Sequence, residues 1–167
     1  INGGAGNDSL TGGAGDDTFT IGSGTDSITD LGNGADVLVV SSGATANATL
    51  AAAWTATASS SNSGTASLTN AGNAVNLAAA LGTNGWTVSN AGNATGVSLI
   101  GSVNADTLIG GTGADTIDGG AGADYLDGGE GNNILTGGAG NDTMIGGAGD
   151  DSVLWAPGDG DDTITLG

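Results

Sequence analysis

Large apolar residues recur every nine positions through the last third of the chain, each between small or polar neighbours. A single apolar position with polar neighbours is the alternation of a half-buried β-strand. The pattern therefore predicts a series of short, evenly spaced strands that direct one side chain each into a common core. These inward positions are Leu10, Phe19, Ile28, Leu38, Leu108, Ile117, Leu126, Leu135, Met144, Val153 and Ile164.

The nine-residue spacing belongs to a motif, G-G-x-G-x-D-x-U-x, in which U is the apolar position. Five uninterrupted copies follow from Gly110: GGTGADTID, GGAGADYLD, GGEGNNILT, GGAGNDTMI and GGAGDDSVL. A looser copy starts at Gly101 and an irregular one at Pro157. Earlier copies start at residues 3, 12, 21 and 31. The motif glycines at positions one, two and four permit positive φ and tight turns, and each such turn carries an Asp.

This motif resembles the RTX (hemolysin-type) calcium-binding nonapeptide repeat. The resemblance implies an all-β chain, a parallel β-roll or β-solenoid in which two nonapeptides make one coil and Ca²⁺ ions lie between stacked turns. Oxygen-only ligands suit Ca²⁺ better than Mg²⁺. The side chains implied as ligands stand at position six of the repeats: Asp8, Asp17, Asp26, Asp36, Asp106, Asp115, Asp124, Asn133, Asp142, Asp151 and Asp162. Backbone carbonyls would complete the sites near Gly3, Gly12, Gly110, Gly119, Gly128, Gly137 and Gly146.

Two departures from the motif affect the expected sites. Asn133 keeps an oxygen but has no charge, so we expect weaker calcium binding there, or a site made mainly of carbonyls. Ser102 and Asn104 replace glycines in the copy at Gly101, which puts that site in doubt. The remaining repeat carboxylates are expected to be solvated surface groups. They are Asp16, Asp150 and Asp161 at position five, and Asp118 and Asp127 at position nine.

Three segments follow from the motif: an RTX block at 1–39, a segment rich in Ala, Ser, Thr and Asn at 40–100, and a second RTX block at 101–167. In the middle segment, apolar and polar residues alternate, and the stretch 69–74 recurs as 89–94, twenty residues later. Twenty is close to one RTX coil. The segment is interpreted as the same solenoid continued without calcium and closed by Asn/Gly turns, in which Asn can take the left-handed conformation and can stack in ladders. The alternatives are an inserted β-sandwich and, over residues 48–53, a short helix.

The composition of the chain limits the kinds of molecule that it is expected to bind. The chain has 18 acidic residues, no Lys, Arg or His, and therefore a formal charge of −18. Such a chain lacks the cationic side chains that neutralise phosphate, so we expect no nucleic-acid binding, and no apolar run is long enough for membrane insertion. Calcium ions are the expected partners. Without His, Lys or Cys there is no base or thiolate for nucleophilic catalysis, so no enzyme activity is expected. Trp54 and Trp86 are expected to pack against the coils.

The resemblance leaves more than one function open. The first is a secreted structural protein of the bacterial cell surface, exported by type I secretion, that folds on calcium binding. Such a protein would assemble with other copies of itself, as a surface layer, adhesin or filament. The second is the C-terminal calcium module of a secreted hydrolase or toxin. A third is ligand binding by regular Thr-x-Thr rows, for which residues 55–57 and 163–165 are isolated signals. The chain begins and ends inside a repeat, so we expect a segment of a longer protein.

Overall fold

The computed structural model describes residues 1–156 and 158–167, so the first residue of the irregular copy, Pro157, lies outside the described residues. The described residues form nineteen strands and no helix, wound into a parallel β-solenoid of about eight turns. The strands are β1 (Ser9–Leu10), β2 (Thr18–Ile21), β3 (Thr25–Leu31), β4 (Val37–Val40), β5 (Thr45–Leu50), β6 (Trp54–Thr55), β7 (Ser61–Asn62), β8 (Thr65–Thr69), β9 (Val75–Asn76), β10 (Leu81–Gly82), β11 (Thr87–Ser89), β12 (Ser98–Ile100), β13 (Thr107–Gly111), β14 (Thr116–Ala121), β15 (Tyr125–Gly129), β16 (Ile134–Ala139), β17 (Thr143–Ile145), β18 (Ser152–Leu154) and β19 (Thr163–Thr165).

Three parallel sheets run along the solenoid. The long sheet has nine strands in the order β1-β3-β5-β8-β11-β13-β15-β17-β19 and extends from one end to the other. The N-terminal sheet has the order β10-β7-β4-β2, and the C-terminal sheet has the order β18-β16-β14-β12-β9-β6. The first two turns of the middle segment, β5-β6-β7 and β8-β9-β10, contribute to all three sheets, whereas its third turn and the turns of the RTX blocks contribute to two.

The strand register confirms that two nonapeptides make one coil. Leu108 pairs with Leu126, eighteen residues later, and Leu126 pairs with Met144 at the same interval. In the middle segment the interval is twenty: Leu68 pairs with both Ala48 and Val88. All the described strand pairs are parallel, so the middle segment continues the solenoid and is not a sandwich.

The core contains the side chains that the nine-residue pattern predicts. The inward positions from Leu10 to Met144 are buried, and Val153 packs against them while partly exposed. Ile164 differs from the prediction, since 43% of its surface is exposed. Its backbone pairs in register with Met144, but β19 is the last strand of the long sheet, so no further strand of that sheet covers its outer side.

The middle segment has a wider core than the RTX blocks. Trp54 and Trp86 are each 1% exposed, as expected, and their rings meet edge to face with centroids 5.8 Å apart. Residues 48–53 do not form the helix that propensity allowed, because Ala46, Ala48 and Leu50 alternate into the core. β5 can then hydrogen-bond to strands on both sides, β3 and β8.

The turns of the middle segment use asparagine in a different way from the one expected. Among the described residues only glycine has a positive φ, so no Asn takes the left-handed conformation that such turns allow. Gly72 and Gly92 take it, with φ of 89° and 76°. The Asn90 side chain links two coils, because its Oδ1 accepts a hydrogen bond from the N–H of Gly72 at 2.8 Å.

Stacking also creates rows of hydroxyl side chains on the outside of the long sheet. Thr25, Thr45 and Thr65 lie in register on successive strands, and Thr49 lies beside Thr69. Their alignment depends on the twenty-residue interval, so a search for Thr-x-Thr along the sequence does not find them. No helix of the described residues is long and apolar enough to cross a membrane.

The stacked core makes a direct prediction for stability in saturating calcium. Leu68 is 1% exposed between the strands of two neighbouring coils, whereas Leu81 is 52% exposed. Leu68→Ala should lower the free energy of unfolding by about 2–5 kcal/mol through lost burial and a cavity. Leu81→Ala should change it by less than about 0.5 kcal/mol. Urea unfolding followed by tryptophan fluorescence measures both, and equal effects of the two substitutions would contradict this packing.

Candidate metal centres

The position-six residues come together in three rows, one along the edge of each sheet. Each of them lies directly before a strand, except Asp26, which lies within β3. Stacking places each residue beside its counterpart one coil away, not beside the counterpart nine residues away. The long-sheet row contains Asp8, Asp26, Asp106, Asp124, Asp142 and Asp162. The N-terminal-sheet row contains Asp17 and Asp36, and the C-terminal-sheet row contains Asp115, Asn133 and Asp151.

In all the row carboxylates except Asp8 and Asp17, one oxygen links two coils. Asp124 Oδ1 accepts a hydrogen bond from the backbone N–H of Asp106 at 2.7 Å, and Asp142 Oδ1 accepts one from Asp124 at 2.8 Å. The same bond joins Asp8 to Asp26 at 3.0 Å in the first block. Where the middle segment ends, Asp106 Oδ1 accepts a hydrogen bond from the N–H of Trp86. This oxygen therefore already joins two coils through a hydrogen bond and has little remaining capacity to bind a cation.

The other oxygen has no donor in most of these turns. Oδ2 is buried and without a hydrogen-bond partner in Asp8, Asp26, Asp115, Asp124, Asp142 and Asp151. A buried carboxylate oxygen that nothing donates to carries a desolvation cost of several kcal/mol, roughly, unless a cation or proton compensates it. In each of these six turns, the buried oxygen therefore needs a cation or a proton to compensate it.

In two other turns, hydrogen-bond donors of the protein bind the corresponding Oδ2. Asp36 Oδ2 accepts a hydrogen bond from the N–H of Gly32 at 2.8 Å. Asp106 Oδ2 accepts from the N–H of Ser102 at 2.5 Å and from its hydroxyl at 2.9 Å. These are the last aspartate before the middle segment and the first one after it. Sequence reasoning took Ser102 only as a missing glycine and missed its role as a donor.

The first glycine of each repeat makes room for the unpaired oxygen. It was expected to need positive φ, but Gly119 and its equivalents do not have it. A Cβ on Gly119 would lie 2.5 Å from Asp124 Oδ2 and 2.5 Å from the carbonyl oxygen of Gly137 in the next coil. The same two kinds of oxygen converge at Gly110, from Asp115 and Gly128. Position one is thus glycine because two acceptor oxygens face each other across it.

This geometry fits a hard cation. The converging groups are oxygens, one a carboxylate and one a main-chain carbonyl of the stacked turn, which is the donor type that Ca²⁺ prefers. No three acidic side chains of the described residues converge on one point. Backbone carbonyls would therefore supply most of the ligands. Among the predicted carbonyl positions, those of Gly119, Gly128, Gly137 and Gly146 face the first glycine of the coil before.

Burial and repulsion between carboxylates raise the pKa of several aspartates in these turns. Burial raises the pKa of Asp124 to about 7, helped by the negative charges of Asp106, Asp142 and Asp118. Burial likewise raises the pKa of Asp106, Asp115 and Asp142. Backbone hydrogen bonds oppose the shift in each case, but they do not cancel it. When no cation is bound, the surroundings of these aspartates therefore favour the protonated carboxyl group over the charged carboxylate.

The other repeat carboxylates lie away from the rows. Asp16, Asp150 and Asp161 are exposed, as expected for surface groups. Asp118 and Asp127 are half-buried, and each accepts a hydrogen bond from the glycine N–H two residues later. Asp30, the extra residue between two early repeats, accepts from the N–H groups of Gly12 and Gly13 in the coil before. Its role was missed because it depends on stacking.

The comparison with known families agrees with the geometry. The model of the RTX calcium-binding nonapeptide repeat matches four copies, over residues 1–28, 100–135 and 126–153. No curated protein and no solved structure matches the chain. The matched segments contain all six aspartates with an unpaired buried oxygen. The chain therefore contains RTX calcium-binding nonapeptide repeats, and it carries a calcium-binding repeat module at each end of the solenoid.

Proposed function

We propose that this chain is a structural segment whose RTX blocks fold when Ca²⁺ binds between their stacked turns. The observation that carries the proposal is the set of six buried aspartate oxygens without a donor, five of which lie beside the first glycine of their own repeat. The chain has no Lys, Arg or His. The positive charge that these oxygens require must therefore come from solution.

The ligands follow from the same geometry. The unpaired oxygens of Asp8, Asp26, Asp115, Asp124, Asp142 and Asp151 are the side-chain ligands, together with carbonyls of the stacked glycines. Asp17 and Asp162 are half-buried members of the same rows and complete the set at the outer turns. Asp36 and Asp106 already have protein donors on both oxygens, so they contribute least.

Calcium binding supplies folding energy here. Each coil of the second RTX block buries at most two large apolar side chains, which offset little of the entropy cost of the backbone that the coil orders. A bound divalent ion removes the repulsion within each row and adds ligand bonds, and its binding free energy is available only in the folded state. Folding is thereby coupled to the calcium concentration.

This coupling suits a secreted bacterial protein of the cell surface. Extracellular calcium modules bind at roughly 10⁻⁴–10⁻³ M, so the blocks would stay unfolded in low cytosolic calcium, pass through type I secretion and fold outside. Every described buried carboxylate lies in one of the three rows, which supports a structural role and not a catalytic one.

Self-assembly is the finer part of the proposal. The last turn exposes apolar side chains, with Leu154, Trp155 and Leu166 each more than half exposed. The outer strand of a sheet also presents unpaired backbone groups. Both features favour stacking against a further coil of the same kind, as in a surface layer, adhesin or filament.

The proposal predicts that strand structure depends on calcium. Circular dichroism at neutral pH should show parallel β-structure at millimolar calcium and its loss, at least from the RTX blocks, in excess chelator. Particle size measured by light scattering on the same samples should increase with calcium if the chain self-assembles. A strand signal that chelator leaves unchanged would contradict calcium-driven folding, and a constant monomer size would contradict assembly.

A charge-matched pair of substitutions tests the ligand assignment. Asp124→Asn removes a carboxylate whose Oδ2 is unpaired in the long-sheet row, so we expect one bound calcium ion fewer per chain. Asp127→Asn removes the same charge three residues away, where the side chain accepts only a local bond from Gly129. Native mass spectrometry counts the ions in both variants. Equal loss from the two would assign the effect to net charge instead of ligation.

The raised pKa values predict opposite pH responses with and without calcium. In chelator, the folded chain holds protons on Asp124 up to about pH 7, whereas the unfolded chain releases them near the ordinary Asp pKa. The calcium-free fold should therefore be favoured at pH 5 and lose stability as the pH rises through 7. Calcium binding requires the deprotonated carboxylates, so the calcium-dependent signal should strengthen over the same range. Circular dichroism titrations measure both, and a chelated chain that loses strand signal between pH 8 and pH 5 would contradict the shift.

A further inference from the structure

We propose that the turn at Asn133 holds no calcium ion, because the side-chain amide of Asn133 donates to the carbonyls that an ion would otherwise engage. The inference rests on the proposed function of the RTX blocks and specifies which turn lies outside it. It makes Asn133 the residue that determines whether its turn takes a cation.

The Asn133 side chain occupies the same position as the row aspartates. It is 1% exposed, and its Oδ1 accepts a hydrogen bond from the N–H of Asp115 at 2.8 Å. Asp142 Oδ1 does the same for Asp124 at 2.8 Å. The coil-to-coil bond is thus retained, and it fixes which way the amide group faces.

With Oδ1 so fixed, Nδ2 replaces the oxygen that is unpaired elsewhere. A Cβ on Gly128 would lie 2.6 Å from Asn133 Nδ2 and 2.6 Å from the carbonyl oxygen of Gly146. At Gly119 the corresponding atoms are Asp124 Oδ2 and the carbonyl oxygen of Gly137. The two cradles are alike in shape, but one contains a hydrogen-bond donor where the other contains a second acceptor.

The amide nitrogen reaches three carbonyl oxygens. They belong to Gly146 at 3.3 Å, Gly131 at 3.4 Å and Glu130 at 3.5 Å. Exchanging the oxygen and nitrogen of the amide would place Oδ1 against these three carbonyls and an N–H group against the N–H of Asp115, so the assignment follows from the network. The three long contacts trace the carbonyls that line a cradle of this kind.

Their positions carry over to the aspartate turns. Glu130 and Gly131 are the third and fourth residues of their repeat, and Gly146 is the first residue of the repeat stacked on it. In the Asp124 turn the equivalent residues are Ala121, Gly122 and Gly137. There the side chain presents Oδ2, an acceptor among acceptors, so only a cation or a proton can compensate the turn.

The neutral amide also changes the electrostatics of its row. Asn133 stands between Asp115 in the coil before and Asp151 in the coil after. It therefore separates two carboxylates that would otherwise be next to a third. In the C-terminal-sheet row, the Asn133 turn consequently keeps its side-chain hydrogen bonds when calcium is scarce.

The test is a gain of one ion. Asn133→Asp restores an unpaired oxygen in the cradle, so the variant should bind one more calcium ion per chain than the native chain, counted by native mass spectrometry in saturating calcium. Asn132→Asp is the matched control. It adds the same charge at the neighbouring exposed residue, whose side chain accepts a bond from Asp150 N–H outside the cradle, and its ion count should not change.

The converse substitution keeps the test decisive if Asn133→Asp fails to fold. Asp115→Asn should let the new amide donate to the Gly128 carbonyl, which converges with Asp115 Oδ2 at Gly110, and should remove one ion. Circular dichroism in saturating calcium verifies that each variant is folded. An unchanged count in folded Asn133→Asp, or in folded Asp115→Asn, would overturn the inference. A native chain that binds no calcium at all would instead refute the proposed function.

Discussion

The structure depends on how it compensates carboxylate oxygens that its own winding buries. In the RTX blocks, an aspartate of one coil binds the coil before through one oxygen, and at Asp115 and Asp124 the other oxygen faces the carbonyl of a stacked glycine. A chain without a single Lys, Arg or His has no internal cation to place there. The acidic sequence, the glycine at position one and the proposed dependence on calcium all follow from this one arrangement.

In the middle segment, uncharged residues occupy the positions of the long-sheet row. Asp26 of the long-sheet row pairs with Ala46, which pairs with Ala66, and the row continues to Trp86 before Asp106. Apolar side chains thus replace carboxylates at the row, and the coil lengthens from eighteen to twenty residues around two packed tryptophans. At its borders, Gly32 and Ser102 donate to Asp36 and Asp106. The solenoid is therefore continuous, and the proposed stabilisation by ions in the RTX blocks is replaced by apolar burial in the middle segment.

Sequence predicted the parts of this structure that repeat locally. The nine-residue apolar period fixed the inward residues, and the motif identified position six, because both depend on a few neighbouring residues. It did not predict the donors to Asp36 and Asp106, the direction of the Asn133 amide or the reason for Gly119. Those depend on atoms one coil away, four residues away across a turn, or on which of two oxygens already has a partner. Ile164 was misjudged for a related reason, since its exposure depends on what packs against β19, the outermost strand of the long sheet.

The most direct test is to locate the ions. A crystal grown in calcium should give anomalous difference peaks between Asp124 Oδ2 and the Gly137 carbonyl, and at the other turns with an unpaired aspartate oxygen. Ordered winding of the RTX blocks at saturating calcium, at neutral pH, with no peak at those turns would contradict the claim that divalent ions compensate the buried rows.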